Sequence, residues 1–329
     1  MSQKTILVTG GAGYIGSHAC KALAKAGYEP VTYDNLSRGH REAVRWGPLV
    51  EGDLADRGLL DATLRHYQPD AVMHFAAYST VAESVAKPAL YFRNNTAASL
   101  VLFEALHAAG SVPVVYSSTC ATYGNVDCVP ITEKQPPRPA TPYGESKLMT
   151  ERILDWFGRA HALRHVTLRY FNAAGADPDG EIGEMHDPET HLIPRVLDAA
   201  IGRNPAIDVY GTDYPTPDGT AVRDYIHVQD LADAHLRALD HLLEGGASAT
   251  LNLGTGLGHS VRQVIACAER VTGRRVPYRE TVRRTGDAAM LIADATRATS
   301  LLNWRPSLPE LDDIVATAWA WHRKRNVYA

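Results

Sequence analysis

The fold is decided by residues 5–16, which read TILVTGGAGYIG. The first five form a short, largely apolar run, the pattern of a strand covered on both faces. A helical pattern then runs from about Tyr14 to Ala26, and Gly27 ends it. The glycines between them permit positive-φ turns and let the backbone approach a pyrophosphate at the positive end of a helix dipole. This strand, turn and helix predict a dinucleotide-binding unit.

Short β-branched runs alternate with helical patterns through the N-terminal half. Further strands are predicted at residues 30–34, 49–52, 71–76, 112–117 and 165–170, and further helices at 56–67, 88–109 and 142–162. Repeated alternation of this kind implies parallel strands joined by right-handed crossovers. We therefore expect an α/β fold with a doubly wound parallel (Rossmann) sheet.

The alternation becomes looser after Asn172. Residues 175–184 are rich in Gly, Asp and Pro, as expected of a loop or domain junction. Beyond them we predict helices at 192–202, 229–243 and 260–271 and strands at 207–211, 225–228 and 250–253. We expect a nucleotide-binding domain over residues 1–175 and a smaller mixed α/β domain over residues 176–329, with some chain crossing back to the first.

Composition narrows the classes of function. The 329 residues include 33 Lys+Arg and 37 Asp+Glu, a net charge of −4, so the basic excess typical of nucleic-acid binding is missing. No apolar run approaches the ~18 residues of a membrane span, and the apolar stretch near the N-terminus is too short for a signal peptide. The four cysteines are scattered, without a C-x-x-C pair. We expect a cytoplasmic protein that binds neither nucleic acid nor membranes.

An acidic residue specifies the expected dinucleotide. Asp34 ends the second predicted strand, 18 residues beyond Gly16, where a carboxylate can accept hydrogen bonds from the adenosine ribose. A carboxylate there repels the 2′-phosphate of NADP, so NAD is the favoured cofactor. NADP stays an alternative, because Arg38 lies nearby in the sequence. Asp53 and Leu54, after the third strand, either contact the adenine or, in the case of Asp53, cap the next helix.

A tyrosine and a lysine are the candidate catalytic pair. Tyr143 and Lys147 lie four residues apart, on one face of a predicted helix that begins at Pro142. A nearby ammonium lowers the pKa of a phenol, which then exchanges a proton with a sugar hydroxyl while a hydride moves. A surface helix pair is the alternative, but the position after the fifth strand favours catalysis. That strand leads into residues 117–124, whose hydroxyls either bind the reacting oxygen or cap loops.

Several motifs together resemble the extended short-chain dehydrogenase/reductases. The glycine turn, residues 34–35 (DN), 74–77 (HFAA), 143–147 (YGESK) and 168–172 (LRYFN) carry this resemblance. Residues 211–214 (GTDY), 218–220 (DGT) and 222–228 (VRDYIHV) are similar specifically to the UDP-glucose 4-epimerases. The likeness covers nearly the whole chain, including residues 251–254 (LNLG) and 303–304 (NW).

The resemblance implies a homodimeric, NAD-dependent isomerase that inverts C4 of a UDP-sugar through a transient 4-keto intermediate. It implies that Tyr143 exchanges the 4-hydroxyl proton, that Lys147 binds the nicotinamide ribose and lowers the pKa of Tyr143, and that Thr119 is the active-site hydroxyl. With the positions argued above, the expected cofactor contacts are Gly10, Gly13, Tyr14, Ile15, Gly16, Asp34, Asn35, Asp53, Leu54, Phe75, Ala76, Asn95, Tyr143, Lys147 and Tyr170. The expected substrate contacts are Thr119, Tyr143, Asn172, Tyr210, Arg223, Arg284, Asp287 and Leu291.

Two residues depart from the family pattern. Ser79 stands where some epimerases carry a cofactor-contacting Lys, so one NAD contact is expected to be missing. Leu291 stands where family members carry either a bulky Tyr or a smaller residue beside the sugar. Because Leu leaves room near C2, we expect UDP-glucose and UDP-galactose as main substrates, with measurable turnover of the N-acetyl forms. UDP-pentoses stay an alternative class of substrate, because residues 118–124 also resemble the corresponding residues of epimerases that act on UDP-pentoses.

Three competing interpretations are disfavoured by particular residues. Residues 185–191 (MHDPETH) contain histidines and acids, but their spacing fits no usual zinc pattern, so we expect a polar loop and no metal. A nucleotide-sugar 4,6-dehydratase needs an acid directly after Thr119, where Cys120 and Ala121 stand. A non-catalytic NAD-binding sensor typically loses the Tyr or the Lys, and this chain keeps both.

Overall fold

The structure is a computed structural model that describes residues 3–126, 128–284 and 286–327. The strands are β1 (Thr5–Thr9), β2 (Glu29–Asp34), β3 (Leu49–Glu51), β4 (Ala71–His74), β5 (Val114–Ser117), β6 (His165–Tyr170), β7 (Asn172–Ala174), β8 (Ile207–Tyr210), β9 (Val222–His227), β10 (Ala249–Leu253), β11 (Gly258–Ser260), β12 (Tyr278–Thr281) and β13 (Met290–Leu291). The helices are α1 (Tyr14–Lys25), α2 (Arg57–Tyr67), α3 (Val81–Ala86), α4 (Pro88–Tyr91), α5 (Ala98–Ala108), α6 (Pro142–His161), α7 (Leu192–Ala200), α8 (Val228–Leu243), α9 (Val261–Thr272), α10 (Thr296–Leu302) and α11 (Leu311–Val327). Within these ranges no helix is both long and apolar enough to cross a membrane.

A parallel sheet lies at the centre of the molecule, with its strands in the order β3-β2-β1-β4-β5-β6-β10. Neighbouring strands all pair in parallel. The chain passes from β1 to β2 on one side and later returns to β4 on the other. A crevice therefore opens at the carboxyl ends of β1 and β4, where the strand order reverses. The predicted α/β fold with a doubly wound parallel sheet is confirmed.

The largely apolar character of β1 follows from burial on both faces. Ile6 and Val8 pack on one side with Leu23 of α1, whereas Leu7 packs on the other with Leu60 of α2 and Leu102 of α5. All six side chains are fully buried. Burial of one such side chain contributes about 1.5–3 kcal/mol, so helices on both faces hold the strand whose end carries the glycine turn.

The second half of the chain contributes to the same sheet. β10 pairs with β6, and α8 lies against α1. Trp304 is fully buried in that core, and its indole N–H donates to the Asp230 carbonyl at 3.0 Å. The remaining strands form two small sheets, in which β9 pairs with β7, β11 and β13, and β8 pairs with β12. The division into domains at residue 175 stays a prediction.

The predicted helix over residues 88–109 is interrupted. α4 is followed by a π-helical segment, Phe92–Ala97, before α5 begins. The segment buries Asn95, whose amide bonds both the N–H and the carbonyl of Tyr78, at 2.8 and 2.9 Å. The sequence-based prediction also missed the helices α3, α10 and α11 and the short strands β7, β11, β12 and β13, and it began β9 three residues late.

His235 is a fully buried imidazole in α8. Its Nδ1–H donates to the Leu231 carbonyl at 2.8 Å, and its ring lies 4.7 Å from that of Phe75. Burial lowers the pKa of His235 to about 4. Folding therefore requires this group to stay neutral at pH values where the unfolded side chain is protonated.

We predict that His235→Leu reduces the loss of stability on acidification. The pKa of the imidazole is 6.5 in the unfolded chain and about 4 in the folded protein. The stability that is present above pH 6.5 is therefore lost as the pH falls from 6.5 toward 4, because the unfolded chain binds the proton first. At pH 5 this costs about 2 kcal/mol. In urea titrations at pH 7.5 and 5.0, the variant should lose about 2 kcal/mol less than wild type. The exposed His66→Leu is the control, and equal losses in wild type and His235→Leu would contradict the prediction.

Candidate active site

One cleft of about 1150 Å³ runs along the carboxyl ends of the sheet and continues under the second half of the chain. It brings together nearly every predicted site residue. Those that line it are Gly10, Gly13, Tyr14, Ile15, Gly16, Asp34, Asn35, Asp53, Leu54, Phe75, Ala76, Thr119, Tyr143, Lys147, Tyr170, Asn172, Tyr210, Arg223, Arg284, Asp287 and Leu291. The exception is Asn95. Its carboxamide is hydrogen-bonded to the backbone of Tyr78 and also donates to the Ser146 hydroxyl at 3.0 Å. Asn95 therefore holds a residue that lines the cleft but does not line the cleft itself.

The glycine turn is shaped by close backbone contacts. Gly10 has a φ of +72°, and a Cβ there would lie 2.6 Å from the nitrogen of Ala76. A Cβ on Gly16 would lie 2.2 Å from the carbonyl oxygen of Gly10. Only glycine fits at either position, and the turn leaves the first amides of α1 facing the cleft. This arrangement suits a pyrophosphate.

The carboxylate of Asp34 is anchored at the rim of the turn. It accepts hydrogen bonds from the backbone N–H groups of Ala12 (3.0 Å) and Leu36 (2.9 Å). Burial raises the pKa of Asp34, and these two bonds oppose the rise. Arg38, the residue that left NADP open, is paired with Glu83 at 2.9 Å.

Asp53 and Asn35 form the wall beyond Asp34. The Asn35 amide donates to the Asp53 carboxylate at 2.8 Å, and that carboxylate also accepts from the N–H of Ala55 at 2.8 Å. The cap of α2 is Asp56, which accepts from the N–H of Leu59 at 3.0 Å. Asp53 is therefore left beside the cleft, and the helix-cap alternative for it is wrong.

Helix α6 places the candidate catalytic pair. Thr141 caps the helix by accepting from the N–H of Gly144 at 3.3 Å. One turn further, the Lys147 ammonium donates to the Ser117 carbonyl at 2.7 Å and lies 4.9 Å above the Tyr116 ring. Both contacts are with β5. They therefore hold α6 against the end of this strand, which leads into Thr119.

Burial shifts the pKa of both titratable candidate catalytic groups, Lys147 and Tyr143. Burial lowers the pKa of Lys147 to about 7, against the opposing effect of the Glu151 carboxylate. Burial raises the pKa of Tyr143, also influenced by the Tyr170 hydroxyl, whereas a hydrogen bond with Thr119 lowers it. The pKa of Tyr143 therefore shifts upward in the protein alone. Its lowering by Lys147 stays a prediction, and it concerns the cofactor-bound enzyme.

A buried ion pair holds α6 on the sheet. The guanidinium of Arg169 in β6 contacts the Glu151 carboxylate with Nε at 3.0 Å and Nη2 at 2.5 Å, and the side chains are only 8% and 7% exposed. Ser118 donates to the same carboxylate. Another guanidinium N–H of Arg169 donates to the Tyr123 hydroxyl at 3.1 Å. The helix that carries the candidate catalytic pair is thereby held to β6 and to the residue that directly follows β5.

The far end of the cleft carries the expected substrate contacts. The Arg284 guanidinium lies 4.6 Å above the Tyr210 ring and donates to the Asp287 carboxylate at 3.1 Å. Arg223 in β9 stands opposite Leu291 of β13 in the strand pairing. Two guanidinium groups and an aromatic ring provide the charge and stacking surface that a nucleoside diphosphate needs.

A cluster beside the cleft was missed from the sequence. Glu184, His186, Glu189 and His191 each offer one ligand atom, and these atoms lie within 4.8 Å of one another. The segment expected to be a polar loop, residues 185–191, does not include Glu184, the carboxylate that both imidazoles face. The spacing E-x-H-x-x-E-x-H was the available signal.

Comparison with known proteins gives consistent results. The chain matches the model of the NAD dependent epimerase/dehydratase family over residues 6–254. It is 52% identical over 326 residues to a UDP-glucose 4-epimerase of Rhizobium meliloti (strain 1021), covering 99% of each chain. It resembles the crystal structure of UDP-glucose 4-epimerase from Brucella ovis in complex with NAD, with 51% identity, a TM-score of 0.94 and 96% and 97% of the two chains covered. The Bifidobacterium longum UDP-glucose 4-epimerase in complex with NAD+ and UDP is 37% identical, with a TM-score of 0.92 and 98% and 99% coverage.

Proposed function

This chain belongs to the NAD dependent epimerase/dehydratase family, and we propose that it interconverts UDP-glucose and UDP-galactose by inverting C4 of the sugar. It is an NAD-dependent isomerase of the UDP-glucose 4-epimerase type. The observation that carries the proposal is that Tyr143, Lys147 and Thr119 line one continuous cleft with the glycine turn and Arg223.

The glycine turn fits the cofactor. Gly10 and Gly16 leave the space that a pyrophosphate needs, and we assign Asp34, on the rim, to the adenosine ribose. When bound beside this turn, NAD+ would supply the hydride acceptor and donor that inversion at C4 requires. Because the reaction has no net redox change, the cofactor stays bound between turnovers.

We assign proton transfer at the 4-hydroxyl to Tyr143, with the Thr119 hydroxyl beside it in the cleft. Loss of the phenolic proton in a buried site is costly unless a positive charge appears beside it. Lys147, whose pKa is lowered to about 7 by burial, gains its proton more easily once the phenolate forms. The pair is therefore suited to move a proton near neutral pH.

We assign the nucleotide part of the substrate to the second half of the chain. Arg223 and Arg284 lie along the cleft and suit the diphosphate oxygens, and the Tyr210 ring suits the uracil. Asn172 in β7 and Asp287 complete the expected contacts around the sugar and uridine. UDP-pentoses and N-acetylhexosamines are not favoured as principal substrates by the relatives reported above.

We infer that the enzyme is a homodimer that associates through α6. Met149 and Trp156 lie seven residues apart on one face of this helix and are 39% and 66% exposed, and Ile153 between them is partly buried against the core. A large aromatic side chain left in solvent is typical of an interaction surface. Because a two-fold axis brings the same patch of each copy together, this apolar stripe can pack on its own equivalent.

We infer that the enzyme works in the cytoplasm. All four cysteines are free, and Cys20, Cys120 and Cys267 are buried. Free thiols are typical of a reducing compartment. Fractionation of cells with an antibody against the chain tests this inference, and recovery in the membrane or secreted fraction would contradict it.

We predict that Tyr143→Phe lowers the rate of epimerisation by roughly 10²–10⁴-fold, because the proton acceptor is lost. The wild-type enzyme should convert UDP-galactose to UDP-glucose without added cofactor, and acid extraction should release NAD(H) from both proteins. Tyr278→Phe, which changes an exposed ring, is the control. A Tyr143→Phe rate within about tenfold of wild type would assign the proton to another group. NAD-containing wild type that converts no UDP-sugar would indicate a sensor instead.

We predict that Leu291→Tyr slows turnover of UDP-N-acetylhexosamines before that of the plain hexoses. Leu291 packs beside Cys120 and Phe171 at the cleft, so a larger ring would fill the space near C2. Product assays over both substrate classes measure the ratio, with the exposed Leu257→Tyr as the control. Equal slowing of both classes, or no N-acetyl turnover in the wild type, would contradict this prediction.

We predict that Trp156→Glu converts the dimer to a monomer, because two like charges would face each other across the two-fold axis. Light scattering after size-exclusion chromatography measures the mass. Val282→Glu, which alters a side chain that is 86% exposed, is the matched control and should leave the mass unchanged. A Trp156→Glu protein with the wild-type mass would place the interface elsewhere.

A further inference from the structure

We propose that Glu184, His186, Glu189 and His191 form a binding site for one Zn²⁺ ion per chain. The site lies in the segment between β7 and α7, at the wall of the cleft. The ligand set is two imidazoles and two carboxylates, which is a combination that selects Zn²⁺ over the oxygen-seeking Mg²⁺ and Ca²⁺.

The geometry supports a four-ligand site. The four ligand atoms lie within 4.8 Å of one another, and a tetrahedral zinc ion with bonds of ~2.1 Å has its ligand atoms about 3.4 Å apart. His186 Nδ1 lies 2.9 Å from Oε1 of Glu184, and His191 Nδ1 contacts the same oxygen. Both ring nitrogens therefore already point to the place where an ion between them and the carboxylate would lie.

The backbone of the segment is held in place independently of these four side chains. A ring nitrogen of His40 donates to the Met185 carbonyl at 2.7 Å. The indole N–H of Trp321 donates to the Glu184 carbonyl at 3.0 Å. These anchors come from two different parts of the chain. They reduce the ordering cost of metal binding, because the ligands are already positioned.

A second acidic cluster shows how this protein otherwise neutralises grouped carboxylates. Asp177, Asp179 and Glu181 surround the Lys21 ammonium at 2.7, 2.8 and 2.6 Å, so that cluster already contains its cation. Among the described residues, neither Lys nor Arg pairs with Glu184 or Glu189, and their ion pairs are with the two histidines. Two carboxylates and one Zn²⁺ sum to zero charge.

All four ligands come from the protein, so the ion is expected to be structural and to leave no open position for substrate. It would link the two ends of the segment Glu184–His191, of which Glu184, His186 and His191 line the cleft. The ion would thus stabilise the wall that faces the ligand, without a part in hydride or proton transfer.

The test uses the full chain with its cofactor, stripped of metal by a chelator and titrated with ZnCl₂ in a calorimeter. We expect one saturable site per chain, a rise in melting temperature, and a tetrahedral visible spectrum when Co²⁺ replaces Zn²⁺. His191→Ala and Glu184→Gln should each weaken Zn²⁺ binding at least tenfold. Glu181→Gln, in the second cluster, and the surface variant His66→Gln are the controls and should bind as wild type does.

Several outcomes would overturn the proposal. The proposal would be wrong if the wild type gave no saturable heat on titration with ZnCl₂, or if the Co²⁺ spectrum lacked tetrahedral bands. It would also be wrong if wild type and His191→Ala bound Zn²⁺ equally well. Circular dichroism identifies a variant that has failed to fold, and Glu189→Gln, whose side chain is more exposed than that of Glu184 (15% against 6%), then provides the comparison. Epimerase activity is not the readout, so failure of the zinc site and failure of the proposed function are distinguishable.

Discussion

The buried ion pair between Glu151 and Arg169 is the interaction on which the geometry of the cleft depends. A charge pair removed from water is stable only when its remaining donors and acceptors are also satisfied. Here Ser118 donates to the carboxylate and Tyr123 accepts from the guanidinium. Loss of any one partner would leave a buried charge or hydroxyl without compensation, so α6 has one position relative to β5 and β6. The catalytic pair inherits that position.

The same network continues toward the sugar end of the cleft. The Tyr123 hydroxyl donates to the Asn252 side chain at 2.7 Å, and the Asn252 amide donates to the Ile131 carbonyl at 2.9 Å. The N–H of Ile131 then donates to the carbonyl of Ile292, beside Leu291, at 2.8 Å. Hydrogen bonds therefore connect the helix that carries the proton-transfer group to the strand expected to sense the substituent at C2.

The sequence predicted the sheet and placed the candidate catalytic pair on one helix because both features leave local signals. A strand buried on both faces is a short apolar run, and two side chains four residues apart share a helix face. Asn95 could not be placed this way, since a π-helical segment shifts the faces of a helix without altering its apolar composition. Glu184 was missed because it lies one residue outside the segment considered, and its histidine partners converge on it only when the segment folds. Some chain was expected to cross back to the first domain, but that β10 is the strand that does so depends on tertiary pairing, which no local pattern encodes.

That return of the chain has a consequence for self-association. β10 pairs along β6 in register from Ala249 opposite Val166 to Leu253 opposite Tyr170. A chain that ended near residue 175 would leave β6 as an open sheet edge, with unpaired N–H and C=O groups on a strand whose Val166 and Leu168 are fully buried in the intact protein. Such an edge is a template for strand addition by another molecule. The second half of the chain therefore protects the first from aggregation, in addition to its part in the cleft.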